Sequence, residues 1–162
     1  MTPAAERFPA PVAAALADSG WQPGRWEIRH AEEWADTLRA HTSPGGHRHA
    51  VLPAAVEVWA EFGPLHIAPT TQGRDLAPTA VTVDPLPCLH AARTLSDLGR
   101  ALGTEVCPVG TETEGEALLV VDVAGHTYGV DASGDWYLGP RFDDALTALL
   151  LGHRPARLTA TL

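Results

Sequence analysis

Residues 105–139 read EVCPVGTETEGEALLVVDVAGHTYGVDASGDWYLG, and the period of this stretch decides the fold. It divides into four extended runs: EVCPVGTET (105–113), EALLVVDV (116–123), HTYGVDA (126–132) and DWYLG (135–139). Each break between runs carries a glycine, at Gly115, Gly125 and Gly134. Val, Thr, Tyr and Trp dominate the runs, as they do in strands. The Ala-Gly and Ser-Gly breaks are short enough for hairpins, so the runs are expected to pair as an antiparallel meander.

Outward from the meander the period changes to that of helices. Phe142 to Leu151 reads as a closing helix, with Asp143 and Asp144 in its first turn where the helix dipole favours carboxylates. Upstream, Leu86 to Leu102 carries Leu89, Ala92, Leu95, Leu98 and Leu102 at helical spacing, and Gly103 ends it. LHIAP (65–69) and TAVTV (79–83) are short and extended. Three further helices precede them: Phe8 to Ser19, Glu27 or His30 to about His41, and Pro53 to Phe62. The first is closed by Gly20 and the third has Pro in its first turn. TSPGGHRH (42–49) between the second and third is a loop. The expected fold is therefore α+β, a mainly antiparallel sheet with helices packed around it, in one domain over residues 1–162.

SGWQPGR (19–25) sets a tryptophan on a turn. Trp21 is expected to pin the end of the first helix to the core, with Gly20 and Gly24 supplying unusual backbone geometry and Pro23 stiffness. Arg25 is expected to meet a carboxylate or carbonyls at the turn.

The chain has 162 residues, 45% of them hydrophobic and 19% charged, the profile of a soluble globular protein with a real core. The longest strongly apolar stretches, ALLVV (117–121) and ALLL (148–151), fall far short of the roughly 20 residues that span a bilayer. Glu6 stands where a signal peptide would be basic, and Pro9 and Pro11 interrupt any early apolar run. A cytoplasmic protein without a membrane segment is expected.

The net charge is −9, and all eleven cations are arginine. Residues 1–104 hold eleven acids against eight Arg, whereas residues 105–144 hold nine acids against Arg141 alone. The acidity thus belongs to the meander and the turn that follows it. This sign argues against nucleic-acid binding, which phosphate contacts dominate, and suits a basic protein partner.

Catalytic and metal-binding patterns are weak throughout. Cys88 and Cys107 are too few for a disulfide framework or a Cys-rich zinc site, and the P-C-x-x-C of zinc deaminases is incomplete at Cys88. They are expected to be reduced and buried. Cys88 and His90, two apart on a helix, would point to different sides. His47 and His49 in GHRH, with His41 nearby, are two loop histidines and a neighbour, more in keeping with a solvated loop than with a metal site. No serine sits in G-x-S-x-G, and a phosphate-binding G-x-x-x-x-G-K-[ST] has no lysine to complete it. No cofactor, metal or catalytic residue is expected.

What remains is the acidic segment. Glu112, Glu114 and Glu116 alternate and would share a face on a continuous strand, unless Gly115 turns the chain between them. Asp131, Asp135, Asp143 and Asp144 follow, with Trp136 among them. An aromatic ringed by carboxylates is an anchor for a basic partner. The plainer alternative is a solvated sheet edge, where charge discourages edge pairing. These eight residues are the expected partner-binding set.

Taken in order, GWQPGR (20–25), EFGPLHI (61–67), VDP (83–85), LGTEVCPVG (102–110), VDVAGHTYGV (121–130), GDWYLG (134–139) and ALTALLLG (145–152) resemble the SUKH superfamily, in its third group. The resemblance runs from about residue 7 to 152, and GWQPGR with the ordered set is its most specific part. It implies an α+β fold and the role of a bacterial immunity protein. Such a protein is encoded beside a polymorphic toxin, often a nuclease or deaminase, and neutralises it by binding. It also implies a protein without enzymatic activity, and it carries over no catalytic residue. The expected partner is then a cognate, basic toxin domain whose active site is occluded. The alternative is an interaction or regulatory module of the same fold with no toxin.

Overall fold

In the computed structural model, which describes residues 4–112 and 116–158, the meander forms the centre of a seven-stranded sheet. Its strands are β1 (His66–Ile67), β2 (Val81–Thr82), β3 (Val106–Glu112), β4 (Ala117–Asp122), β5 (Thr127–Asp131), β6 (Gly134–Gly139) and β7 (Ala156–Arg157). They lie in chain order, every neighbour antiparallel. Two of the hairpins use one device. Asp122 ends β4 and its Oδ1 accepts the Ala124 and His126 N–H groups at 2.9 and 3.0 Å. Asp131 ends β5 and its Oδ1 accepts those of Ser133 and Gly134 at 2.8 and 3.1 Å. Each carboxylate closes its turn on the backbone, as Asx turns do.

The helices are α1 (Ala4–Arg7), α2 (Ala10–Ser19), α3 (Ile28–Ala40), α4 (Pro53–Phe62), α5 (Ala92–Leu102) and α6 (Phe142–Leu151). α4 and α6 have the expected bounds. α2 starts at Ala10 instead of Phe8, because Pro9 holds an extended ψ of 150° and disfavours helix at the residue before it. The expected helix 86–102 is α-helical only from Ala92. Leu86–Ala91 is a 3₁₀ turn, where Pro87 has no N–H to give and the Leu86 N–H goes to Asp84 Oδ1 at 2.9 Å. β7, two residues without alternation, has no signal in the sequence.

The sheet is covered on both faces. One face carries Cys107, Val109, Leu119, Val121 and Leu138 and packs on α2, α3, α4 and α6, forming the main core. The other carries Val106, Val120, Tyr128 and Val130 and packs on Ala91, Leu95 and Leu98. At the centre of the main core, fully buried Trp59 on α4 donates its Nε1–H to the Pro108 carbonyl at 3.2 Å, where β3 slips register against β4. Trp21 is buried as expected, edge-on to Phe8 and stacked on Phe62 with ring centroids 6.1 Å apart. Gly20 and Gly24 hold φ of 100° and 83°, which a side chain would strain. Arg25 Nη1 donates to the Glu61 carbonyl at 2.9 Å.

Candidate functional site

The main-core face of the sheet is not fully covered. α6 follows β6 and packs on β6, β5 and β2, ending at Leu151 with Gly152 after it. Gly152, at φ 67°, caps the helix. Its carbonyl accepts the Asp75 and Leu76 N–H groups, while those of Leu151 and Leu149 accept Arg74 and Thr79. A helix end leaves such carbonyls orphaned, and here a loop satisfies them. The contact is close: a Cβ on Gly152 would meet the Leu76 carbonyl oxygen at 2.1 Å.

Between this loop, the end of α6 and the bare strip of sheet lies a cavity of about 310 Å³. Its floor is made of small residues. Ala117 of β4 stands opposite Glu112 of β3. Gly129 of β5 stands between Leu119 and Trp136. Leu76, Thr79, Leu149, His153 and Arg154 form the rim. Leu76 is 41% exposed, a large apolar side chain left at the mouth.

Two carboxylates and an indole face this space. Glu112 Oε2 accepts the Thr79 hydroxyl at 3.2 Å. Burial pushes the Glu112 carboxyl up from its ordinary range, and Asp131 and Glu116 push it the same way against the pull of the Thr79 bond. Asp131 goes the other way. Burial opposes the shift, but hydrogen bonds from Ser133, Trp136 and Gly134 outweigh it and hold the carboxyl below its ordinary value. Trp136 Nε1 donates to Asp131 Oδ1 at 3.4 Å, and the Arg157 guanidinium lies 5.8 Å from the indole centroid. Among the described residues neither Glu112 nor Asp131 takes part in an ion pair.

Of the eight expected partner-binding residues, then, Glu112, Asp131 and Trp136 line one cavity. Glu116 is exposed beside it at the start of β4. Glu114 lies outside the described residues. Asp135 stands opposite Val130 and so belongs to the other face of the sheet. Asp143 and Asp144 are at the far end of α6. Asp143 is bound by Arg7 through Nε and Nη2 at 2.6 and 2.8 Å, and Asp144 meets Arg141 at 3.3 Å. The acidic segment is thus divided between two ends and two faces. Leu76, Thr79 and Arg154, distant in sequence, carried no signal except that Gly73 and Gly152 mark close backbone approach.

Cys88 and Cys107 are free and buried, and burial pushes both thiols up to about 12. The GHRH stretch is a loop, but His49 is not solvated. It is buried with Nε2 2.8 Å from the Leu89 carbonyl, and burial holds its pKa down, with His41 and His90 adding to the effect. Among the described residues no three His, Cys, Asp or Glu side chains converge on a metal position, and no helix is long and apolar enough to cross a membrane.

With the fold and the site in place, the family can be read. The sequence model of the SUKH-3 immunity protein family matches residues 8–152. The chain belongs to the SUKH-3 immunity protein family. The match takes in all six meander and flanking strands from β1 to β6, α2 through α6, and the Gly152 that shapes the cavity. Membership gives the protein the role of an immunity protein, one defined by protection against a toxin. No curated protein and no solved structure matches the chain.

Proposed function

We propose that this SUKH-3 protein binds the toxin domain encoded beside it and blocks that toxin's active site, acting by occlusion and not by chemistry of its own. The toxin is a nuclease or nucleic-acid deaminase with a basic substrate groove, and the encounter takes place in the cytoplasm. The observation that carries this reading is the pair of carboxylates, Glu112 and Asp131, that form no ion pair among the described residues, set around a half-buried tryptophan. An enzyme that holds nucleic acid presents positive charge to it. An acidic protein with a net charge of −9 is steered to that surface and competes for it.

The test is co-expression with the neighbouring toxin domain, followed by calorimetry on the purified pair at two salt concentrations. Protection of the cell with sub-micromolar binding that weakens with salt is the expected result. No protection and no binding would leave an interaction or regulatory module of the same fold, with another partner.

A further inference from the structure

The cavity beside Trp136 has a shape that names its occupant. Its volume, about 310 Å³, lies at the small end of the roughly 300–1,000 Å³ that small-molecule sites occupy. Glu112 and Asp131 flank Ala117 on one face of the sheet, on the first and third of three neighbouring strands. Two strand spacings put their backbones roughly 10 Å apart, with only a methyl group between. Behind them Gly129 has no side chain, so the slot continues along the sheet towards the indole. Arg157 already lies over the Trp136 ring, and Trp136 also lines the slot.

We propose that this slot is a receptor for one arginine side chain of a bound protein, its guanidinium set between the carboxylates of Glu112 and Asp131 and against the Trp136 indole. The proposal rests on the binding function above and deepens it by naming the group recognised. Three features select arginine. The guanidinium is planar and carries donors on both edges, so it can bridge two carboxylates that a compact ammonium would reach one at a time. It also stacks on aromatic faces. Its stem is apolar, matching the slot's walls of Ala117, Leu149 and Leu76. Glu112 is ready for it: the carboxylate is held in a place that disfavours its charge, and an incoming cation relieves that. On Asp131, Oδ1 is occupied by the turn while Oδ2 has no partner among the described residues. The exposed Arg154 sits on the same rim and pairs with neither carboxylate.

The experiment uses the full chain and a probe independent of any toxin. N-acetyl-arginine methylamide is titrated while the five tryptophan indole N–H signals are followed by NMR, that of Trp136 being assigned with Trp136→Phe. Lysine and leucine analogues are the controls. The Trp136 signal is expected to shift saturably with the arginine probe, at least fivefold more tightly than with lysine, and those of Trp21 and Trp59 to stay. Glu112→Gln and Asp131→Asn should each weaken the response at least threefold, and Arg154→Ala should not. No saturable shift, an equal response to lysine or leucine, or indifference to both carboxylate variants overturns the proposal. An arginine response in a protein that gives no protection against the toxin would leave the slot standing and remove the immunity partner, so the two readings fail separately.

Discussion

The two ends of α6 treat carboxylates in opposite ways. At the N-terminal end Asp143 and Glu61 close on Arg7, whose guanidinium also lies within 6 Å of the Phe8, Trp21 and Phe62 rings. The hydrogen bond to Asp143 leads the effects that raise the Arg7 pKa, so the cation is fixed in place. At the C-terminal end Glu112 is half-buried and Asp131 lies nearer the surface with its Oδ1 held by the turn, and neither forms an ion pair among the described residues. The first arrangement ties α1, α4 and α6 together. The second leaves the half-buried Glu112 charge without a cation, which lowers stability unless something arrives to match it. Acidic residues from one stretch of sequence therefore do two jobs, and the presence or absence of an internal cation separates them.

The sharpest way to break this contrast is to reverse the charge at one end only. In Glu112→Arg/Asp131→Arg, toxin affinity is expected to fall by about a hundredfold or more, near 3 kcal/mol, as for charge pairs lost from a desolvated interface. Folding stability should fall by about 1 kcal/mol, because Asp131→Arg removes the acceptor that closes the β5–β6 turn. Calorimetry with the toxin domain and urea denaturation of the free protein report the two halves separately. Equal binding by the double variant would remove the cavity from the interface.

Arg7→Ala is the converse. It strands two partly buried carboxylates against aromatic rings. Loss of one partner of a fully buried pair costs about 3–5 kcal/mol. With 29% of the Arg7 side chain and 17–20% of its partners exposed, about 2 kcal/mol is expected here. The urea midpoint should drop by that amount, while affinity of the folded variant for the toxin domain stays within a factor of two. A large loss of affinity would mean that the N-terminal end of α6 also contacts the partner.

Neutralising Asp135 or Asp144 separates geometry from net charge. Both belong to the expected acidic surface, but one is on the other face of the sheet and one is at the other end of α6. Asp135→Asn and Asp144→Asn should each reduce the association rate less than threefold, through long-range steering alone, and leave dissociation unchanged. A tenfold change in the dissociation rate for either would extend the interface beyond the cavity.

Most of the architecture was legible because local signals and tertiary demands agree. The meander carries its turn glycines, α4 has its proline at the start, and α2, α5 and α6 end in glycines at positive φ. Departures occur where proline chemistry acts on one or two residues, at Pro9 and Pro87. The cavity was half legible. Trp136 with nearby carboxylates pointed to the corner of the sheet that holds the cavity, but alternation in sequence says nothing about where α6 ends. That end decides which acids are enclosed together. Pairing of Arg7 with Asp143 spans most of the chain, and Leu76 reaches the cavity only because residues 74–79 cap α6. Such contacts have no period to read.

The smallest expected effect is the most direct measure of the penalty at Glu112. Burial raises its pKa in the folded protein above the unfolded value, and Asp131 and Glu116 add to the shift. The sign follows: above both values the folded state bears the unfavourable charge, and stability rises as pH falls through the folded pKa, because the native state takes up the proton first. Asp131 has the opposite sign, since its lowered pKa contributes stability that is lost at low pH. Comparing Glu112→Gln with the parent isolates the first effect from the second, and from His153 and Arg154 on the rim. The variant keeps an oxygen for the Thr79 hydroxyl and should be more stable at pH 7 by about 0.5 kcal/mol or less. That advantage should shrink as pH falls through the carboxylate range, while in the complex with the toxin domain it should reverse. If the variant is no more stable than the parent at pH 7, the enclosure of Glu112 carries no penalty, and the contrast between the two ends of α6 loses its energetic basis.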